Sequence, residues 1–220
     1  MRAVFRAEHE QTLVSSYLPA KGFFVEVGAF HPVVLSQTWQ LEQRGWDDLL
    51  IEPIPEHAES LRRERRARVF EVACGGPEQD GTTLPIYVAG GVSSLRFRRG
   101  PPKPVSLATL DSLLARANAQ QVDFLSVDVE GSELDVLAGF SFERYRPSLI
   151  LLEDFAEGLA KHRFMRARGY RRVRRTGDNS WYVPNEVASP VSLHGRWQLM
   201  RKYYLSLPIR WLKRVIRRLH

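Results

Sequence analysis

Four short apolar runs, each closed by an acidic residue, constrain the fold of this chain more than any other feature of its sequence. The runs end at Glu26, Glu52, Asp128 and Glu153–Asp154. Short runs rich in aromatic and β-branched residues are typical of strands that are buried on both faces of a parallel sheet. Helical patterns separate them. This alternation predicts an α/β fold with a mostly parallel sheet and helices on both faces.

The sequence predicts where each element lies. Strands are expected at 22–27, 48–52, 68–73, 123–128 and 148–153, and helices at 1–18, 36–44, 56–66, 106–120, 132–140 and 157–168. The helix at 56–66 is highly charged, so we expect it on the surface. A closing hairpin of residues 170–175 and 180–183 predicts one antiparallel strand at the sheet edge and a total of seven strands. Residues 81–104 interrupt the alternation, which predicts an insertion or hairpin with a strand at 84–88 and loops at 89–91 and 98–104.

The amino-acid composition indicates the cellular location of the protein and the kind of partner it binds. Cys74 is the only cysteine, so one chain can form neither a disulfide framework nor a cysteine-based zinc site. This favours a reducing, cytoplasmic location. No apolar run approaches the roughly 20 residues of a membrane span, and the N-terminus has no signal-peptide pattern. The net charge of +7 favours anionic partners.

The positive charge is concentrated in the C-terminal tail. Residues 187–220 contain Arg and Lys but no Asp or Glu, so we divide the chain into a domain at 1–186 and a basic helical tail at 187–220. Residues 207–220 have apolar side chains at helical spacing and basic ones between them. Such a helix either binds the anionic inner face of a membrane peripherally or packs on the domain or on a second subunit of a homodimer. Without a recognised motif, nucleic acid is not an expected partner.

The acidic strand ends predict a ligand site. The carboxyl ends of parallel strands meet at one edge of a sheet, and ligands bind there in open α/β folds. Glu52, at the end of the second strand, has the position of an acid that accepts hydrogen bonds from both ribose hydroxyls. Gly28 has no second or third glycine after it, so the site lacks the glycine-rich turn that a dinucleotide needs. The sulfonium of S-adenosylmethionine suits a site of carboxylates and aromatic rings, and the sequence therefore favours a methyl donor over NAD.

Several segments resemble the FkbM-type methyltransferases. They are Glu-Val-Gly-Ala-Phe-His-Pro at 26–32, Leu-Glu-Gln-Arg-Gly-Trp at 41–46, Ile-Glu-Pro-Ile-Pro-Glu at 51–56, Thr-Leu-Asp at 109–111 and Asp-Val-Glu-Gly at 128–131. The resemblance covers about residues 22–184. It implies a Rossmann-like class I methyltransferase fold and an S-adenosylmethionine-dependent enzyme that methylates a hydroxyl of a sugar or polyketide. Many members have Asp-x-Gly-Ala-Asn-x-Gly in the first loop, so this chain's contacts to the methionine part stay open.

The resemblance also implies roles for individual residues. Glu26, Gly28 and Glu52 would hold the cofactor, with Asp128 beside it. We also predict cofactor contacts for Ala29, Ser36, Pro53 and Ala73. Ser36 either caps the first helix or touches the cofactor carboxylate through that helix's N-terminus, while Ala73 and Cys74 would lie near the adenine at the end of the third strand.

Methyl transfer to a hydroxyl needs a group that takes the proton. The candidates are Asp128, Glu130, Asp154 and His31, and Asp128 is the first choice. Asp128 and Glu130 could together bind Mg²⁺, since hard oxygen ligands suit this ion. Alternatively, Glu130 only complements the dipole of the following helix, and His31 is only a loop residue. We expect residues 81–104 and 155–161 to build the acceptor pocket.

Together these features predict an S-adenosylmethionine-dependent O-methyltransferase. Its acceptor would be a small molecule or glycan, with the methyl group placed on a sugar hydroxyl of a glycan or glycosylated metabolite. The alternative is a non-enzymatic basic α/β module that binds a membrane surface or RNA and retains a degenerate nucleoside pocket.

Overall fold

The structure is a computed structural model that describes residues 10–98, 100–154, 159–188, 191, 193–206 and 208–209. Its strands are β1 Phe23–Val27, β2 Asp47–Ile51, β3 Arg68–Phe70, β4 Ala73–Cys74, β5 Thr83–Tyr87, β6 Pro102–Ala108, β7 Phe124–Val127, β8 Leu149–Glu153, β9 Tyr170–Thr176 and β10 Asn179–Pro184. Its α-helices are α1 Trp39–Gln43, α2 Pro55–Glu64, α3 Leu110–Arg116, α4 Glu133–Ala138, α5 Phe142–Tyr145, α6 Ala160–Ala167 and α7 Leu193–Leu199. Residues 10–14 are also helical, 3₁₀ turns lie at Ser15–Tyr17 and Pro77–Gln79, and a π-helix covers Met200–Leu205.

The main sheet has seven strands in the order β3-β2-β1-β7-β8-β10-β9. Strands β3, β2, β1, β7 and β8 pair in parallel, and β10 pairs antiparallel with both of its neighbours. This confirms the predicted α/β sheet with an antiparallel final hairpin. The antiparallel strand does not lie at the edge, however. Strand β10 is almost wholly buried and takes the inner position, while the arginine-rich β9 forms the edge, where charged side chains reach solvent.

Successive side chains of the central strands point to opposite faces of the sheet, so the hydrophobic core has one part on each face. In β1, Val25 and Val27 pack on one face and Phe24 packs on the other. The first face is covered by apolar side chains of α3, α4 and α5, and the second by those of α1 and α2. The predicted helices on both faces are therefore present, and the central strands are buried on each side.

A second sheet of three strands, in the order β4-β6-β5, corrects the predicted middle of the chain. The expected strand at 68–73 is broken into β3 and β4, which belong to different sheets. Residues 102–104 of the expected loop and the first residues of the helix expected at 106–120 instead form β6, which pairs antiparallel with β5 and parallel with β4. Helix α3 begins only at Leu110, after Thr109 accepts a hydrogen bond from the Ser112 N–H at 3.2 Å.

Some predictions concern residues that the structure does not describe. Residues 1–9, 155–158 and 210–220, which include most of the predicted basic helix, lie outside the described residues. Among the residues that are described, no helix has the length and apolar character needed to cross a membrane. The division into a domain at 1–186 and a tail at 187–220 stays a prediction.

Candidate functional site

A cleft opens at the carboxyl ends of β1, β2 and β7, and a close approach of two loops forms its floor. Gly28 has a φ of +82°, and a Cβ at this position would overlap the Asp128 carbonyl oxygen. The Gly28 N–H donates to the Ile51 carbonyl oxygen at 2.9 Å. Only glycine combines this conformation with this proximity, so Gly28 determines the shape of the floor.

Glu52 lies in the wall of this cleft and is held by backbone donors. Glu52 is the first residue after β2, and it is 4% exposed. Oε2 accepts a hydrogen bond from the Phe30 N–H and Oε1 accepts one from the Ile54 N–H, each at 2.9 Å. Each carboxylate oxygen has a second lone pair, so Glu52 can still accept hydrogen bonds from two hydroxyl groups of a ligand.

The rest of the wall is mainly apolar. Pro53, Ile54, Ala73 and Cys74 line it, and the segment around Gly91 closes it from the side of the small sheet. The phenyl ring of Phe30 and the imidazole of His57 also line the cleft, and the two rings meet edge to face at 4.8 Å. Burial raises the pKa of the Cys74 thiol, which disfavours the nucleophilic thiolate form.

Glu26 lies behind the cleft and is not among its lining residues. Its carboxylate accepts hydrogen bonds from Ser36 Oγ at 3.0 Å, the Gln37 N–H at 2.7 Å and Thr38 Oγ1 at 2.5 Å. Burial raises the pKa of Glu26, while the Arg65 charge and these hydrogen bonds oppose that rise. Glu26 and Ser36 thus hold the loop that follows β1. Ala29 is likewise buried behind the cleft and does not line it.

Arg65 organises the same loop, and the sequence analysis missed it because the charged helix at 56–66 was expected to lie on the surface. The residue is 5% exposed. Its guanidinium lies 2.8 Å from Glu42 Oε2 and donates to the Pro32 carbonyl oxygen at 2.9 Å and to Thr38 Oγ1 at 3.1 Å. Its sequence neighbours are also charged, so no local pattern distinguishes it from the exposed arginines of α2.

A cluster of acids lies at the mouth of the cleft. Oxygens of Asp128, Glu130 and Glu153 all lie within 4.8 Å of one another. Asp128 is exposed at the mouth, and partial desolvation by the surrounding protein, together with the charges of Glu130 and Glu133, raises the pKa of its carboxyl. Burial, followed by the charges of Asp128 and Glu130, raises the pKa of Glu153.

The neighbouring Glu133 has a different environment. Burial raises the pKa of this carboxyl, but the Lys161 ammonium 2.5 Å away and hydrogen bonds from the Gly131 N–H and the Glu153 carboxyl together outweigh this effect, so the pKa lies below its usual value. Glu133 Oε1 also accepts from the Gly131 N–H at 2.7 Å. Glu133 is therefore paired with Lys161.

The structure places two predicted catalytic residues away from the cleft lining. His31 Nδ1 accepts from the Val33 and Val34 N–H groups at 3.2 and 3.0 Å, so the imidazole caps a turn. The Asp154 carboxylate accepts from Ser180 Oγ at 3.3 Å. In the described part of the chain, the cleft brings together the following predicted site residues: Gly28, Glu52, Pro53, Ala73, Asp128 and Glu130.

The sheet order, the single inner antiparallel strand and the cleft beside β1 define a Rossmann-like α/β protein with a cleft at the carboxyl edge of its sheet. The model of the methyltransferase FkbM domain family matches residues 26–172. The chain therefore belongs to the FkbM methyltransferase family, as its motifs predicted.

A solved structure has the same fold. This is the methyltransferase FkbM from Methylobacillus flagellatus KT, with 15% sequence identity and a TM-score of 0.53. The similarity covers 74% of this chain and 44% of that one, so the chain spans less than half the length of its structural relative. No curated protein matches the chain.

Proposed function

We propose that this protein transfers a methyl group from S-adenosylmethionine to an oxygen of its acceptor. The observation that carries the proposal is the placement of the Glu52 carboxylate, the Gly28 turn and the acid cluster along one cleft. The adenine would lie against Ile54, Ala73 and Cys74. The ribose hydroxyls would donate to Glu52, and the sulfonium would face the acids at the mouth, which favour its positive charge.

The reaction uses few protein groups. The acceptor hydroxyl oxygen attacks the methyl carbon in line with the sulfur, an O–CH₃ bond forms, and the S–CH₃ bond breaks to leave neutral S-adenosylhomocysteine. The hydroxyl proton passes to the Asp128 carboxylate and then to solvent. The main contribution of the protein is to hold donor and acceptor at short distance in this alignment.

We propose a sugar hydroxyl as the acceptor group, within a glycan or a glycosylated metabolite, and the cytoplasm as the location. The carboxylates at the mouth support a polyhydroxylated acceptor, since each can accept hydrogen bonds from neighbouring hydroxyls. The Mg²⁺ that was predicted at Asp128 and Glu130 also stays a proposal. The chemistry of the donor set supports it, because carboxylate oxygens are hard ligands.

Calorimetric titration tests the proposed cofactor. We expect S-adenosylmethionine and S-adenosylhomocysteine to bind one per chain with a dissociation constant in the micromolar range, and we expect NAD not to bind. If neither adenosyl ligand binds, the proposal is wrong. The non-enzymatic module with a degenerate pocket would then be the better description.

We also propose that the C-terminal segment binds an anionic membrane surface peripherally. Leu193, Trp197 and Met200 share one face of the segment that α7 begins, and they are 83%, 52% and 45% exposed. Charge complementarity supports lipid, because residues 187–220 contain no acid. Deletion of residues 207–220 should weaken cosedimentation with phosphatidylglycerol vesicles, because it removes the most basic part of this segment. Unchanged binding would contradict the proposal.

A further inference from the structure

A histidine lies beside Glu52 in the wall of the cleft. Helix α2 begins at Pro55, shortly after Glu52. In its first turn the His57 N–H donates to the Ile54 carbonyl oxygen at 3.0 Å. Prolines at 53 and 55 restrict the backbone between the two side chains. The position of His57 relative to Glu52 is therefore fixed locally, and its imidazole lines the cleft.

One nitrogen of this imidazole is buried without a hydrogen-bond partner in the described part of the chain. His57 as a whole is half-buried, but its Nδ1 atom is fully buried and makes no hydrogen bond there. A buried polar nitrogen without a partner is costly. The ring also contacts Phe30 edge to face, with 4.8 Å between the ring centroids. This contact supports the orientation of the imidazole but gives it no hydrogen-bond acceptor.

The Glu52 carboxylate is close to this nitrogen but does not satisfy it. Glu52 Oε1 lies 3.5 Å from His57 Nδ1, which is beyond ordinary hydrogen-bond distance. The same oxygen already accepts the Ile54 N–H at 2.9 Å. The negative charge of the carboxylate favours the imidazole tautomer that carries its hydrogen on Nδ1. The cleft wall thus presents a carboxylate acceptor and an N–H donor side by side.

We propose that His57 binds the ribose of the cofactor together with Glu52. One ribose hydroxyl would donate its hydrogen to Glu52 Oε1 and would accept the His57 Nδ1–H through a lone pair of its oxygen. A hydroxyl has one donor and two acceptor sites, so it satisfies both groups at once. This inference rests on the ribose contact of the proposed function, but it does not depend on methyl transfer. It names the ligand class as a ribonucleoside in which this hydroxyl is unmodified.

The pair of Glu52 and His57 would determine specificity. A deoxy ligand leaves an acceptor and a buried donor without partners, and sites of this kind discriminate strongly against such analogues. A phosphate on the same oxygen would remove the donated hydrogen and bring a second negative charge against Glu52. The cleft should therefore select adenosine ligands over their deoxy and ribose-phosphorylated analogues.

Two variants of His57 test the contact. His57→Phe keeps an aromatic ring against Phe30 and removes the nitrogens, while His57→Asn places an amide nitrogen near the former Nδ1. In calorimetric titration, His57→Phe should bind S-adenosylhomocysteine roughly three- to tenfold more weakly than the wild type, the effect of one neutral hydrogen bond. His57→Asn should lose less. Unchanged affinity of His57→Phe would overturn the proposal.

Truncated ligands separate a direct contact from a general effect on the cleft. The probes are adenosine, 2′-deoxyadenosine and 3′-deoxyadenosine, each titrated into the wild type and into His57→Phe. One deoxy probe should bind the wild type at least about tenfold more weakly than adenosine, because Glu52 also loses its hydrogen bond. This factor should be smaller in His57→Phe, which has already lost one partner of that hydroxyl. If the substitution weakens all three probes equally, His57 does not contact the ribose and the proposal is wrong.

The imidazole also gives a readout in the unmodified protein. In ¹⁵N NMR, the His57 Nδ1 resonance should shift when S-adenosylhomocysteine binds, since its hydrogen gains an acceptor. A resonance that stays unchanged at saturation would refute the contact.

The two proposals can fail separately. Adenosine binding that depends on His57 in this way, without S-adenosylhomocysteine binding, retains the His57 contact and rejects the methyl donor. Binding of S-adenosylhomocysteine without that dependence rejects the His57 contact alone. If no probe binds the wild type, both proposals are wrong.

Discussion

Replacement of Glu52 by glutamine tests whether this carboxylate binds the ribose of the cofactor. Glutamine has the same size but no charge, and it keeps only one acceptor oxygen. A hydrogen bond to a charged group contributes about 1.5–3 kcal/mol. Each 1.4 kcal/mol changes a dissociation constant about tenfold. The loss of one such bond therefore weakens S-adenosylhomocysteine binding roughly 10- to 150-fold.

The assay is calorimetric titration of Glu52→Gln and of a matched control. Glu59→Gln makes the same chemical change at an exposed position of α2, and its affinity should equal that of the wild type. Thermal unfolding must accompany the titration, because Glu52 also accepts the Phe30 and Ile54 N–H groups. A folded Glu52→Gln variant that binds S-adenosylhomocysteine within twofold of the wild type would refute the ribose assignment.

Three further predictions concern stability. Gly28→Ala should destabilise the protein by about 2–4 kcal/mol more than Gly45→Ala. Both glycines have a positive φ, but only at Gly28 do backbone atoms lie where a Cβ would be. Urea unfolding measures both losses of stability, and equal losses would contradict the close approach of the two loops. Arg65→Ala should cost about 3–5 kcal/mol because a buried carboxylate loses its partner, whereas the exposed Arg63→Ala should change stability by less than about 0.5 kcal/mol. Burial, followed by the charges of nearby arginines, lowers the pKa of His162 to about 4 from 6.5, so the unfolded state binds more protons between these values and stability should fall as the pH drops through that window. Urea unfolding at pH 7 and pH 4.5 should show a smaller loss in His162→Gln than in the wild type, and an equal loss would mean that other groups cause it.

The main sheet could be predicted from the sequence because its central strands are buried on both faces, and such strands consist of continuous apolar runs. The small sheet could not. Strand β6 contains Pro102, Lys103 and Pro104, which resemble a loop, and its extended conformation depends on pairing with β4 and β5. The inner position of β10 was also not predictable from one strand alone. It follows from a comparison of two strands, since Trp181 of β10 is buried whereas the β9 arginines are only half-buried.

The candidate site could likewise be predicted only in part. Gly28 and Glu52 both line the cleft, because local motifs at strand ends determine their positions. Asp154 was one of four predicted catalytic candidates, yet its neighbour Glu153 is the acid that lies beside Asp128. Which of two neighbours faces the cleft depends on strand register, and that register is a tertiary property. Arg65 carried no local signal at all.

The inner position of β10 also affects how the chain folds during its synthesis. The β8 strand ends at Glu153, and its second neighbour β10 is complete only at Pro184, 31 residues later. Until the ribosome has passed that point, β8 has an open edge of unpaired backbone groups, which is the kind of surface on which nascent chains associate. The match to the family ends at residue 172, before β10. Completion of the sheet thus depends on a strand beyond the segment by which the family is recognised.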